Sequence, residues 1–80
     1  MLTVYSKPNC PFCDKAKNYL RNNNIDYEVV DISVNEEARN FLLNEGHRSV
    51  PQIYNNKTVF IENGWLGLEK LTKEEILSRM

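Results

Sequence analysis

The chain contains little that would suggest a membrane protein, a nucleic-acid-binding protein or a domain held together by several disulfides. Its 80 residues include no apolar run of transmembrane length, and no basic segment followed by an apolar one opens the chain. The formal net charge of −1 gives no reason to expect a nucleic acid or a membrane as partner. We therefore expect one small domain over residues 1–80 that acts in the cytoplasm, of its own organism or of an infected host cell.

Metal ligands are also scarce in this sequence. The chain has two cysteines, Cys10 and Cys13, and a single histidine, His47. A closed zinc site requires about four ligands, so a structural zinc site is a disfavoured alternative and we expect no metal. In a reducing compartment, a lone Cys-x-x-Cys pair is more often catalytic or metal-binding than a structural disulfide. A redox-active pair is therefore the leading interpretation, with two inert core cysteines as the other alternative.

The residues around the two cysteines favour a reactive thiolate. Pro11 suits the first position of a helix, so Cys10 would lie at the helix N-terminus and Cys13 one turn further along the same face. That spacing is close to the Cα separation of ~4.4–6.8 Å that a disulfide requires. Unpaired N–H groups at a helix N-terminus stabilise an anion, here a thiolate. We therefore predict that Cys10 is the nucleophile and that the less exposed Cys13 is the resolving thiol.

Hydrophobic periodicity and end signals predict an α/β domain. Strand-type residues occupy 2–5, 27–30, 52–54 and 58–61, and residues 55–57 would form the turn of a hairpin. Helices are predicted from Pro11 to the asparagines at 22–24, from the cap residue Asn35 to before Gly46, and over 66–80 with a break between Leu71 and Lys73. The order β-α-β-α-β-β-α predicts a small four-stranded mixed sheet flanked by three or four helices. Its first βαβ unit should be parallel and right-handed.

Three segments give the chain a family resemblance. Residues 4–13 contain a strand, a lysine and a Cys-Pro-aromatic-Cys motif in the order that one family of redox proteins has them. Residues 48–53 match that family's Arg-Thr-Val-Pro-Gln segment. Residues 62–64, Glu-Asn-Gly, lie where a Gly-Gly pair usually precedes the last helix. With these motifs the chain resembles a small dithiol glutaredoxin of the bacterial or phage type. The resemblance covers nearly the whole chain and implies the thioredoxin fold.

The resemblance implies substrate-binding roles for four residues near the cysteines. Lys7 matches the family's partner for a carboxylate of glutathione. Phe12 replaces the commoner tyrosine and would provide an apolar surface beside the sulfur atoms. Arg48 and Ser49 would contact the glycyl end of glutathione. Together these residues predict a binding site for glutathione next to the cysteine pair.

Two further segments have implied roles in the same site. Pro51 would be cis and would pack against the active-site disulfide, while the Val50 backbone would hydrogen-bond a bound peptide or glutathione as a neighbouring strand does. Many relatives hold the γ-glutamyl end of glutathione with an aspartate, but this chain has leucine and glycine at 66 and 67. Asn63 and the backbone of Gly64 would therefore hold that end. Trp65 and the two residues after it resemble a Trp-x-Gly segment of glutaredoxin-like hydrogen donors to ribonucleotide reductase, which thioredoxin reductase reduces.

These residues predict a glutathione-dependent thiol-disulfide oxidoreductase that reduces protein disulfides and glutathione mixed disulfides. Its partners would be glutathione, as the reducing co-substrate, and disulfide-bearing proteins, with ribonucleotide reductase as one candidate client. The alternative is an electron donor to ribonucleotide reductase that thioredoxin reductase reduces. A third hypothesis, an iron–sulfur carrier with a cluster between two chains, is disfavoured by Pro11, and a plain thiol-bearing binding module comes last. We expect the protein to be a monomer.

Overall fold

The computed structural model describes residues 1–80 and contains eight elements. In chain order they are β1 (Leu2–Ser6), α1 (Pro11–Asn22), β2 (Tyr27–Asp31), α2 (Glu36–Asn44), β3 (Gln52–Asn55), β4 (Thr58–Ile61), α3 (Gly64–Leu68) and α4 (Lys73–Arg79). The α/β class and the four-stranded mixed sheet with flanking helices are confirmed. None of the four helices combines the length and the apolar character that crossing a membrane requires.

Strand β1 lies inside the sheet, whose strand order is β2-β1-β3-β4. It pairs in parallel with β2, with Leu2 opposite Tyr27, so the predicted parallel βαβ unit is confirmed. On its other side it pairs antiparallel with β3, which places Leu2 opposite Asn55. Because a central strand is covered on both faces, most of β1 is buried, and Leu2 and Val4 are fully inaccessible to solvent.

Helix α1 follows β1 and begins where the sequence predicts. Cys10 is its N-cap residue in an extended conformation, and Pro11 occupies the first turn, where its missing N–H leaves no hydrogen bond unmade. The apolar side of the helix is buried at Cys13, Ala16 and Leu20. That side holds the helix against the sheet and thereby fixes the position of its N-terminus.

The two faces of the sheet are covered by different kinds of side chain. On one face lies an aliphatic cluster: Leu2, Val4, Ala16, Leu20, Ile25, Ile53, Leu68, Leu71 and Ile76. Side chains alternate along a strand, so Tyr5 and Tyr54 point to the other face. There their rings meet each other and Phe41 of α2, with centroids 5.3 to 5.9 Å apart. Helix α2 is thus held to the sheet mainly by aromatic contacts.

Several boundaries differ from the prediction, and the largest difference concerns α3. Strands β1 and β2 each extend one residue further, and β3 includes Asn55, so the hairpin turn has two residues instead of three. Helix α3 starts at Gly64 and ends at Leu68, whereas the predicted segment ran from 66 to about 71. The chain enters α3 through Asn63 in a left-handed conformation, with φ 67°. A capping box between Thr72 and Glu75 starts α4, at the predicted break between Leu71 and Lys73.

Candidate active site

The two cysteines lie where β1 passes into α1. They form a disulfide, with Cα atoms 5.2 Å apart, inside the range predicted from their spacing. The Cys10 sulfur also accepts a hydrogen bond from the backbone N–H of Cys13, with the two atoms 3.3 Å apart. Cys10 is 8% exposed and Cys13 is completely buried. An incoming thiol or disulfide can therefore reach only Cys10, and the helix N–H would stabilise its thiolate after reduction.

The loop that precedes β3 closes over Cys10. Its Val50–Pro51 peptide bond is cis, and the carbonyl oxygen of Val50 lies 3.9 Å from the Cys10 sulfur. The start of α3 fits against the same loop, because a Cβ atom on Gly64 would overlap the carbonyl oxygen of Pro51. Three segments that are distant in the sequence thus come together: the N-terminus of α1 and this loop meet at the Cys10 sulfur, and the N-terminus of α3 packs against the loop.

A cleft of about 220 Å³, which we call the basic cleft, adjoins Cys10 along Val50. Its charged lining consists of Lys7 after β1, Arg39 in α2 and Arg48 in the loop, and no aspartate or glutamate lines it. The side chains of Ile32 and Leu42 contribute apolar surface. Three positive charges over a partly apolar surface suit a substrate that carries a carboxylate beside a short aliphatic chain.

Arg39 is a lining residue that no sequence motif indicated. Its side chain is exposed, and only the packing of α2 brings it next to Lys7 and Arg48. A weak signal was present in the sequence, because Arg39 precedes Leu42 and Leu43 by three and four residues and shares their side of the helix. Using this signal would have required knowing which side of α2 faces Cys10.

The structure places the other predicted residues in two clefts and at two separate aromatic positions. Ser49 and Val50 line the basic cleft together with Lys7 and Arg48, and Arg48 and Ser49 line the second cleft as well. Asn63 lines a second cleft, of about 450 Å³, on the far side of the loop with Glu45 and Glu62. The remaining two are aromatic: Phe12 is 45% exposed beneath the Lys15 ammonium group, and the Trp65 ring packs edge-on against Tyr19 at 5.6 Å.

No group of three or more histidine, cysteine, aspartate and glutamate side chains in the structure is arranged to hold a metal ion. The electrostatic features near the site concern tyrosines instead. Burial, reinforced by the negative charge of Glu45, raises the pKa of Tyr54 above its ordinary value of 10.0. Burial and Glu28 raise the pKa of Tyr5 in the same way. Both phenols are therefore neutral hydrogen-bonding groups at physiological pH.

Comparisons with known proteins identify the family. The family model named Glutaredoxin matches residues 2–60. Glutaredoxin 1 of Rickettsia prowazekii (strain Madrid E) is 35% identical over 86 residues, which cover 99% of this chain and 84% of that protein. A shorter match, 44% identical over 39 residues, is to an uncharacterized glutaredoxin-like 8.6 kDa protein in the rubredoxin operon of Clostridium pasteurianum. It covers 49% of this chain and 49% of that relative, so the matched part spans about half the relative's length.

A solved structure supports the same assignment. NrdH-redoxin from Escherichia coli, a glutaredoxin-like protein with a thioredoxin-like activity profile, superposes with a TM-score of 0.66 at 26% identity. The superposition covers 68% of this chain and 71% of that one. The observed strand order, the cysteine pair and these similarities agree with one another. This chain belongs to the glutaredoxin family of thiol-disulfide oxidoreductases, and it carries the Cys10–Cys13 pair on a thioredoxin-like fold.

Proposed function

We propose that the protein reduces protein disulfides and glutathione mixed disulfides through Cys10 and Cys13, with glutathione as its reducing co-substrate. The observation that supports this proposal most directly is the basic cleft beside Cys10, because Lys7, Arg39 and Arg48 concentrate positive charge there with no acidic residue among the lining. Glutathione carries two carboxylates, and a cationic cleft at the reacting sulfur favours such an anion over a neutral thiol.

The chemistry follows from the unequal exposure of the two sulfur atoms. The Cys10 thiolate attacks one sulfur of a target disulfide, the target S–S bond breaks, and the other target sulfur leaves as a thiolate. Cys13 then attacks the Cys10 sulfur and releases the reduced target, so that two electrons have passed from the protein to the target. With a glutathione mixed disulfide, Cys10 alone takes the glutathionyl group. A second glutathione then removes that group as glutathione disulfide.

Reduction of the Cys10–Cys13 disulfide requires two glutathione molecules, which leave as one glutathione disulfide. Glutaredoxin couples have potentials of about −200 to −230 mV, against about −220 to −260 mV for the cytosolic glutathione pool by extraction methods. The glutathione pool can therefore reduce the Cys10–Cys13 disulfide. We accordingly propose the cytoplasm as the compartment. We also propose a monomer as the active form.

The binding groups divide between two sides of the cysteine pair. Lys7, Arg39 and Arg48 would hold a carboxylate of glutathione in the basic cleft, and the Val50 backbone would hydrogen-bond its cysteinyl part. On the side of α3, the chain offers Asn63 and the backbone of Gly64 for the γ-glutamyl end. No acidic side chain follows them, because Leu66 and Gly67 occupy the next positions. The recognition of glutathione would thus depend mostly on the basic cleft.

The second candidate function is electron transfer from thioredoxin reductase to ribonucleotide reductase. Two observations favour it: the superposition with NrdH-redoxin, and the Trp65-Leu66-Gly67 segment beside the site. In this function the reduced Cys10–Cys13 pair would be regenerated by a protein instead of glutathione, and Phe12 and Trp65 would offer apolar contact surface to that protein. An iron–sulfur carrier is the third candidate, and Pro11 disfavours it by the family resemblance. Anaerobic purification would test it, because a brown protein would support cluster binding.

Coupled NADPH consumption distinguishes the first two functions. One reaction contains a small glutathione mixed disulfide, glutathione and glutathione reductase, and a second contains thioredoxin reductase and a protein disulfide. We expect turnover in the first reaction and its loss in Cys10→Ser. If turnover occurs only in the second reaction, and Cys10 of the same protein reacts with alkylating agents, then thioredoxin reductase and not glutathione is the reductant.

A further inference from the structure

The loop between α2 and β3 carries Arg48 into the basic cleft, and a hydrogen bond holds it to the sheet. The Nε2 atom of His47 lies 2.7 Å from the hydroxyl oxygen of Tyr54 on β3. We propose that His47 and Tyr54 are positioning residues for the reaction of Cys10 with anionic disulfides, and that they act by fixing the wall formed by Arg48, Ser49 and Val50. This inference rests on the carboxylate-binding role proposed above for Arg48.

Tyr54 is a rigid partner for the loop. Its side chain is completely buried, and its ring is surrounded by those of Tyr5, Phe41 and His47, all within 5.7 Å between centroids. The ring of His47 meets it edge-on, at an interplanar angle of 83°. The hydroxyl group of Tyr54 is therefore fixed by the sheet and by α2, and a loop bonded to it takes the same fixed position.

The loop has few other connections to the rest of the molecule. The backbone N–H of His47 donates to the carbonyl of Leu42 at the end of α2, and the Gln52 side chain donates to the carbonyl of Ser49 at 2.8 Å. Arg48 and Ser49 are exposed, and their side chains make no hydrogen bond or ion pair within the protein. The hydrogen bond between His47 and Tyr54 joins two side chains, and it holds the residue that directly precedes Arg48.

The charges around His47 explain why the contact bears on substrate binding. On one side the ring faces the basic cleft with Lys7, Arg39 and Arg48, and on the other it lines the second cleft with Glu45 and Glu62. Arg48 and Ser49 line both clefts, so the loop lies between the positive charges of the basic cleft and the two glutamates of the second cleft. A shift of the Arg48 side chain towards the second cleft would move its charge away from an incoming anion and towards the two glutamates, which would lower the affinity for anions.

The hydrogen bond can persist when the ionisation of the site changes. The Tyr54 hydroxyl donates where the Nε2 atom of His47 carries no proton, and it accepts where Nε2 is protonated. Burial and Glu45 keep the Tyr54 phenol neutral by raising its pKa, so the hydroxyl is present over the whole physiological range. The pair is consequently suited to a constant structural task and not to proton transfer.

The test compares two disulfide reagents on the pre-reduced protein by stopped-flow spectroscopy. One is the dianionic 5,5′-dithiobis(2-nitrobenzoate), and the other is the neutral 4,4′-dithiodipyridine. In Tyr54→Phe and in His47→Leu we expect the rate constant for the anionic reagent to fall about three- to tenfold, as for the loss of one hydrogen bond. The rate constant for the neutral reagent should be unchanged. The double variant should lose no more than either single one, and His47→Gln should restore the wild-type ratio because it can still bond the hydroxyl.

Arg48→Gln provides the reference for the cleft itself. It should show the same selective loss with the anionic reagent, and adding Tyr54→Phe to it should have little further effect. Equal slowing with both reagents, additive losses in the double variant, or unchanged rates would each overturn the positioning role. These rates do not require glutathione. If the variants show the expected pattern but the wild-type protein shows no glutathione-coupled turnover, the proposed co-substrate is refuted and the positioning role stands.

Discussion

At the scale of single residues, the positive charge of the basic cleft comes from positions that are far apart in the sequence. Lys7 and Arg48 belong to motifs that the sequence displays, so their proximity to Cys10 could be expected from the family resemblance. Arg39 belongs to no motif, and its side chain is exposed, as those of most arginines are. Only the packing of α2 against the aromatic face of the sheet brings it to the cleft. Such a residue is outside the reach of local patterns.

Replacing Arg39 tests whether this third charge contributes to binding. In Arg39→Gln we expect KM for a glutathione mixed disulfide to rise about two- to fivefold, the range of one exposed ion pair, while kcat stays the same. The rise should diminish as the salt concentration increases, because screening weakens the attraction. Steady-state kinetics at two ionic strengths measure both effects. Arg21→Gln, at the other end of α1, is the matched control, and an equal rise in that variant would contradict a local role.

The two tyrosines with raised pKa values predict a loss of stability at alkaline pH. The folded protein holds the phenolic protons of Tyr54 and Tyr5 more tightly than the unfolded chain does. Their contribution is complete below pH 10 and decreases as the pH rises through the unfolded value towards the folded ones. We expect the free energy of unfolding in urea to fall above pH 10, and to fall less steeply in Tyr54→Phe. Identical slopes in both proteins would show that Tyr54 is not responsible.

At the scale of elements, helix ends that depend on local signals were predictable and α3 was not. Helices α1, α2 and α4 begin where the sequence predicts, because an N-cap is decided by a few neighbouring side chains. The limits of α3 depend on distant parts of the chain instead. A Cβ atom on Gly64 would overlap the carbonyl oxygen of Pro51, thirteen residues earlier in the chain. No local pattern contains this contact.

The contact at Gly64 predicts a severe effect of one added methyl group. Gly64→Ala would strain a residue with φ +52° and would also displace the carbonyl of Pro51. Gly46→Ala is the matched control, because Gly46 has φ +87° but no atom near its Cβ position. We expect the control to lose about 1–2 kcal/mol from backbone strain. In Gly64→Ala the free energy of unfolding should fall by about 1–3 kcal/mol more than in the control, because of overpacking. The same variant should also react more slowly at Cys10. Urea unfolding of both variants measures the difference, and equal losses would show that the loop accommodates the methyl group.

At the scale of the whole molecule, the order of elements was predictable and their spatial arrangement was only partly so. Alternating patterns of strands and helices were sufficient for the α/β class and for the parallel pairing of β1 with β2. The position of β3 beside β1 has no local cause, since it joins residues about fifty positions apart. The core is equally non-local: Leu68, Leu71 and Ile76 complete it from beyond residue 60, where the family match ends.

The last helix therefore contributes to stability despite its position outside the matched region. Ile76 is completely buried, whereas its neighbour Leu77 is 50% exposed. We expect Ile76→Ala to lower the free energy of unfolding by about 2–5 kcal/mol, through lost burial and the cavity left behind. Leu77→Ala should lower it by less than about 1 kcal/mol. Denaturant titrations of the two variants provide the comparison, and similar losses at both positions would mean that α4 is not part of the folded core.

The central position of β1 has a consequence for how the protein is made. The strand that leads to Cys10 is translated before its partner β3, which ends at Asn55, and the closing α3 follows later still. At about 5–20 residues per second, the ribosome needs roughly 3 to 10 seconds to supply the missing strand. During that time the nascent chain has no loop or basic cleft beside Cys10. The binding site thus forms as one of the last events of biosynthesis, so that a truncated chain ending before β3 would carry both cysteines without the basic cleft.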